Sequence, residues 1–108
     1  MTTGAGSMRA GPLGAATDLD ADAVLAVVRD AIVAVYEVDP ASITRDTRLV
    51  EDLGADSLGL VEIVEIVESR LAQTVPGFRV DDDDLDDLTT VGVAVDYSLQ
   101  RLAQAAGR

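Results

Sequence analysis

The chain has 108 residues, of which 8 are Arg and 20 are Asp or Glu, for a formal net charge of −12; Lys, His, Cys, Asn and Trp are absent. Without Cys or His it can hold no thiolate nucleophile, Cys/His zinc site, Ser-His-Asp triad or disulfide. Its acidity argues against nucleic acid, whose phosphates call for a basic stripe.

One domain is expected at this length. With 48% apolar but only 3% aromatic residues, its core must be built from Val, Leu, Ile and Ala. Residues 1–17 are rich in Gly, Ala and Thr and carry a single charge, Arg9. They lack the apolar run of a signal peptide and suggest a disordered leader or an expression remnant, with the folded domain over 18–106. No stretch is apolar for long enough to span a bilayer, so a soluble protein with no membrane partner is expected.

A first helix should begin at Asp20, a good N-cap, with Leu19 and Val24 placed as a hydrophobic staple. Val24, Val28, Ala31 and Val35 recur on one helical face, and Pro40 should stop the helix around Glu37. Residues 38–56 form a long connection, pinned by Ile43, Leu49 and Leu53. A second helix begins near Asp56 or Ser57, with Leu60, Val64, Val67 and Leu71 on its inner face, and ends before Pro76-Gly77. Leu85 and Leu88 suggest a short helical turn within the acidic run 81–87. Thr90 caps a last helix whose stripe is Val91, Val95, Leu99 and Leu102. Residues 91–95 could alternate as a strand, but hairpin signals are missing. The expected fold is all-α: three longer helices and one short third helix, after a long first loop.

Ser57 stands where that loop gives way to a helix. An exposed hydroxyl there is open to another enzyme, and the free N–H groups and positive dipole end of the first turn favour an attached phosphate. Gly54 permits the tight turn that presents the serine. Asp56 adds a carboxylate that could bind a metal-phosphate donor in an incoming transferase. Capping alone is the commoner role of an Asp-Ser pair before an apolar helix. The six acids of 81–87 invite a calcium reading, but an EF-hand register from Asp82 places Asp87 where Gly is required and Val93 where Glu is required. No metal site is expected.

Asp52-Leu53-Gly54-Ala55-Asp56-Ser57-Leu58, followed by Val61-Glu62-Ile63, closely resembles the phosphopantetheine attachment site of acyl carrier proteins. Val38-Asp39-Pro40 with Ile43-Thr44, and Thr89-Thr90-Val91 with Asp96-Tyr97, extend the resemblance over roughly residues 20–104. It implies the family's four-helix bundle and a discrete carrier with no catalysis of its own. By similarity, a phosphopantetheinyl transferase would join 4'-phosphopantetheine from coenzyme A to Ser57, recognising the adjacent Asp56, with magnesium serving the transferase. The arm's thiol would then carry acyl groups as thioesters, so the sulfur missing from the chain arrives with the cofactor. The aliphatic interior is expected to shelter the acyl chain, as in some members.

Leu58, Val61, Glu62, Glu65 and Glu68 are the expected partner contacts along the second helix. They would meet basic patches on an acyltransferase, a ketosynthase or an acyl or aminoacyl ligase. Glu65 stands where many members place a hydrophobic residue, and the connection over 76–88 is longer than in compact members. These departures point to polyketide or related specialised biosynthesis. A fatty-acid carrier or an aminoacyl-starter carrier is the alternative, and an unmodified acidic helical adaptor is the reading from a different class. A cytoplasmic monomer is expected.

Overall fold

A computed structural model describes residues 19–106, and the leader expected over 1–17 lies outside them. Helix α1 spans Ala21–Tyr36. The Asp20 carboxylate accepts the Ala23 N–H at 2.9 Å, satisfying one of the donors that a helix start leaves open. Glu37 ends the helix in the left-handed region, at φ 56°, and its N–H reaches back to Val33 O. Pro40 cannot extend the helix and instead opens a 3-10 turn, Pro40–Ser42, capped by the Asp39 side chain. Helix α2 spans Ser57–Thr74 and α3 spans Val91–Ala106. Between them lies a 3-10 helix over Asp82–Asp87, capped by Asp81. This is the expected short third helix, and the fold is the expected all-α bundle.

Helix α1 is the shared partner: α2 and α3 each pack along it, while their backbones have little contact with one another. Val24, Val28, Ala31 and Ile32 of α1 are buried against Ile63, Val67 and Leu71 of α2 and Val91, Val95 and Leu102 of α3. Because α2 and α3 part, the space between them must be filled by the connections, which supply Leu49, Val80 and Leu88. Each fully buried aliphatic side chain contributes about 1.5–3 kcal/mol relative to an exposed one.

Two faces are rotated from the expected stripes. In α2 the buried positions are Gly59, Ile63, Val67 and Leu71, with Leu60 and Val64 half-buried. The helix has α1 on one side and the connections on the other, so its apolar face is wider than a single stripe. In α3, Ser98 is buried and Leu99 half-buried, and in α1 the expected stripe omitted Ile32.

The long first connection is tied at its middle to the start of α3. Gly92 N–H donates to Arg45 O at 2.8 Å, Val91 N–H to Thr47 O at 2.9 Å, and Leu49 N–H to Thr89 O at 3.0 Å. These loop carbonyls take up open donors at the helix start, while Thr90 Oγ1 accepts the Val93 N–H at 3.1 Å. An Arg45–Asp96 ion pair at 2.8 Å closes the same junction. The loop that leads to Ser57 is therefore anchored at both Ile43 and Leu49 by burial and between them by hydrogen bonds.

The acidic segment is held by Tyr97. Its hydroxyl donates to Asp84 Oδ2 at 2.7 Å and accepts the Asp81 N–H at 3.1 Å, while the Arg101 guanidinium lies 5.8 Å from the ring centroid. Burial pushes the phenol's ionisation up, the Asp81 N–H opposes it, and the bond to Asp84 adds to the rise.

Candidate functional site

The turn before α2 is built from Leu49 to Asp56. Gly54 has φ 71°, a conformation that costs an L side chain strain, and its N–H reaches Val50 O at 2.9 Å. Ala55 is buried, and its N–H reaches Leu49 O at 3.0 Å. Asp52 secures the turn from outside: its Oδ2 accepts the Arg48 N–H at 2.8 Å. The chain thus arrives at Asp56 in a fixed direction.

Asp56 is the N-cap of α2 and Ser57 is the first helical residue. Asp56 Oδ1 accepts the Gly59 N–H at 2.8 Å, and Asp56 O accepts the Leu60 N–H at 2.9 Å. The N–H groups of Ser57 and Leu58 have no intrahelical acceptor, as geometry requires at a helix start. Ser57 is exposed. Capping and presentation are therefore divided between neighbours: the carboxylate closes the helix end, and the hydroxyl stays available to a reagent from outside.

Leu58, beside the serine, is 67% exposed, an unusual position for a large apolar side chain. Val61 is half-buried, and Glu62 and Glu65 are exposed. The two glutamates line a shallow groove between α1 and α2 with Val35 and Ile66, ending near the Asp30–Arg70 pair. Glu68 is set apart from this group. Its Oε2 accepts the Val80 N–H at 2.8 Å, which ties α2 to the segment before the acidic run. The spacing of glutamates along a helix cannot reveal an acceptor role toward a loop twelve residues on.

Two further residues belong to the site. Val50, in the turn preceding the serine, is 57% exposed and adds a second apolar side chain to the outer surface. Tyr36, at the end of α1, reaches the first turn of α2, where burial and then the charges of Asp56 and Glu62 raise its ionisation, against an opposing Asp56 N–H. The sequence signal available for Tyr36 was its rarity, as one of two tyrosines.

Between α2 and α3 lies an apolar cavity of about 20 Å³, lined by residues including Leu60, Ile63, Val64 and Val67 of α2 and Ala94, Tyr97 and Ser98 of α3. That volume is about one water-sized probe, so an aliphatic chain enters only if α2 and α3 separate. Among the described residues, no group of three or more acidic side chains is placed to hold a metal ion, and no helix is long and apolar enough to cross a membrane.

The site is thus an exposed serine at the first position of a helix, three residues after a left-handed glycine and beside a capping carboxylate. The family described as "Phosphopantetheine attachment site" matches residues 26–98. An acyl carrier protein of Thermotoga maritima is 43% identical over 65 residues, covering 60% of this chain and 74% of that protein. Acyl carrier proteins of Campylobacter curvus and Lactobacillus acidophilus are 35% and 39% identical, covering 69% and 65% of this chain and 91% and 81% of theirs. Members of this family carry covalent 4'-phosphopantetheine and catalyse no reaction themselves. By sequence and by fold, the chain belongs to the acyl carrier proteins, within the phosphopantetheine attachment family.

Proposed function

We propose that Ser57 is the residue that receives the arm. The observation that carries this reading is the division of labour at the start of α2: Asp56 caps, leaving the Ser57 hydroxyl exposed at the first helical position. A phosphopantetheinyl transferase would transfer phosphopantetheine from coenzyme A to Ser57 Oγ, which loses its proton to the transferase as the nucleotide bisphosphate leaves. The Ser57 and Leu58 N–H groups and the helix dipole stabilise the resulting phosphodiester charge. Once attached, the group supplies the thiol that holds an acyl cargo as a thioester. The second Asp56 oxygen, which does not cap, would be available to the magnesium that serves the transferase.

Leu58, Val61, Glu62 and Glu65 form the docking strip: two apolar side chains bordered by carboxylates. Basic patches on an acyltransferase, a ketosynthase or a ligase fit this strip. Exposed charge pairs of this kind are worth only about 0–1 kcal/mol each, which suits a shuttle that must leave each enzyme after delivery. Their larger effect is on encounter, by factors of about 10 to 10³. The exposed Glu65 and the long 76–88 connection favour a carrier for polyketide or related specialised synthesis over one for fatty acids.

Intact mass spectrometry tests the reading. Incubation with a broad-specificity transferase, coenzyme A and magnesium should add one phosphopantetheine. No gain with a transferase shown to be active on another carrier would overturn it, and would leave the acidic-adaptor reading. Mass analysis of protein isolated from its native host would identify the cargo and so decide the pathway.

A further inference from the structure

Gly59 lies in the first turn of α2, two residues after the serine, and it is buried. Among the described glycines only Gly54 has a positive φ, so backbone freedom does not explain a glycine at position 59. Space does. A Cβ on Gly59 would collide with the Tyr36 hydroxyl oxygen, and would stand 3.0 Å from Tyr36 Cζ and 3.3 Å from Asp56 Oδ1. The phenol therefore occupies the volume that any other residue would fill with its own side chain.

The surroundings give that contact a direction. Tyr36 is the last residue of α1 and is followed at once by the left-handed Glu37, so its side chain is delivered from the end of a rigid helix. Gly59 is also the residue whose N–H is held by the Asp56 carboxylate at 2.8 Å. The cap and the phenol thus converge on a single residue of the turn that begins with Ser57. The hydroxyl feels the charges of Asp56 and Glu62, both of which, after burial, hold its proton on. It remains a neutral phenol at neutral pH, with an O–H to offer in a setting otherwise rich in carboxylates.

We infer that Tyr36 is a positioning residue for Ser57: its hydroxyl, seated in the notch left by Gly59 beside the Asp56 cap, fixes the first turn of α2 in the orientation that presents the serine to a transferase. This rests on the assignment of Ser57 as the attachment residue. Neither Tyr36 nor Gly59 touches the reacting atoms. They act through the helix start, which is held by the Asp56 cap and by the Tyr36 phenol together. The pairing is specific to these two residues, since a larger residue at 59 excludes the tyrosine and a shorter residue at 36 leaves the notch unfilled.

The test is the kinetics of arm transfer on full-length protein, using an active transferase, coenzyme A and magnesium, read by intact mass. Tyr36→Phe keeps the ring and removes the hydroxyl. It should lower kcat about tenfold with KM changed by less than about twofold, because the docking side chains are untouched and orientation is lost. Gly59→Ala should slow transfer in the wild-type background but have no further effect in a Tyr36→Leu background, where the colliding oxygen is gone. An independent readout is phenol ionisation followed by ultraviolet absorbance in a Tyr97→Phe background: Asp56→Asn should shift Tyr36 to lower pH. Circular dichroism confirms that each variant keeps its helices. Equal kcat for wild type and Tyr36→Phe would overturn the inference, as would an equal penalty for Gly59→Ala in both backgrounds. An unmodified wild type would instead overturn the attachment reading, and the inference with it.

Discussion

The Glu68 carboxylate accepts the Val80 N–H at 2.8 Å, joining the middle of α2 to the segment that enters the acidic 3-10 helix. A charged acceptor on a half-buried N–H stabilises more than a neutral pair does. Glu68→Ala should therefore lower stability by about 1.5–3 kcal/mol, and Glu68→Gln, which keeps an acceptor, by less. Urea denaturation followed by circular dichroism measures both. Equal and negligible losses would show that the bond contributes little.

Asp56 combines two tasks that substitution can separate. Asp56→Ala removes the cap and should cost about 0.5–2 kcal/mol, whereas Asp56→Asn keeps an oxygen for the Gly59 N–H and should cost only a few tenths. Arm transfer should remain slow in both, because Asn supplies no negative charge to the transferase's magnesium. Recovery of wild-type transfer rate in Asp56→Asn would restrict this residue to capping.

Tyr97 makes stability fall at alkaline pH. Burial raises its ionisation, with the bond to Asp84 adding to the rise against the Asp81 N–H, so the folded state holds the proton more tightly than the unfolded chain. The stabilisation is complete below the ordinary tyrosine value of about 10 and is lost as pH rises through the higher folded value. Tyr36 shifts in the same direction, so Tyr97→Phe should flatten the alkaline fall only in part. Denaturant midpoints from neutral pH upward give the slope. An unchanged slope in Tyr97→Phe would contradict this assignment.

Much of this architecture is legible in the sequence because it is set locally. Asp20 and Pro40 bracket α1, Asp56 and Pro76 bracket α2, and each acts through its own neighbours. The place of Ser57 at a helix start is legible for the same reason: loop, glycine, cap and helix follow one another within ten residues. What escaped depends on distant partners. Gly59 is explained only by Tyr36, which precedes it by a long loop, and Glu68 only by Val80. The buried face of α2 turned toward Ile63 because elements on two sides cover it, and a single period describes contact with one side alone.

The docking strip predicts a dependence on salt. Glu62→Arg with Glu65→Arg should lower kcat/KM for a partner enzyme by about 10-fold or more at low ionic strength. It should also flatten the decline with added salt, since surface charges lose most of their influence within a Debye length of about 8–10 Å. Glu68→Gln should leave that salt dependence unchanged. Steady-state kinetics with a carrier-using acyltransferase across a salt series would measure both effects, and identical curves for the reversal variant and wild type would place docking on another face.

The assignment of Ser57 is tested most directly by locating the added mass. Trypsin cuts after Arg48 and Arg70, releasing residues 49–70, in which Ser57 and Ser69 are the only hydroxyl side chains. After incubation with transferase, coenzyme A and magnesium, fragmentation of that peptide should place the phosphopantetheine on Ser57, and Ser57→Ala should take up none. A gain retained in Ser57→Ala, or one that maps to Ser69 or outside residues 49–70, would contradict the account.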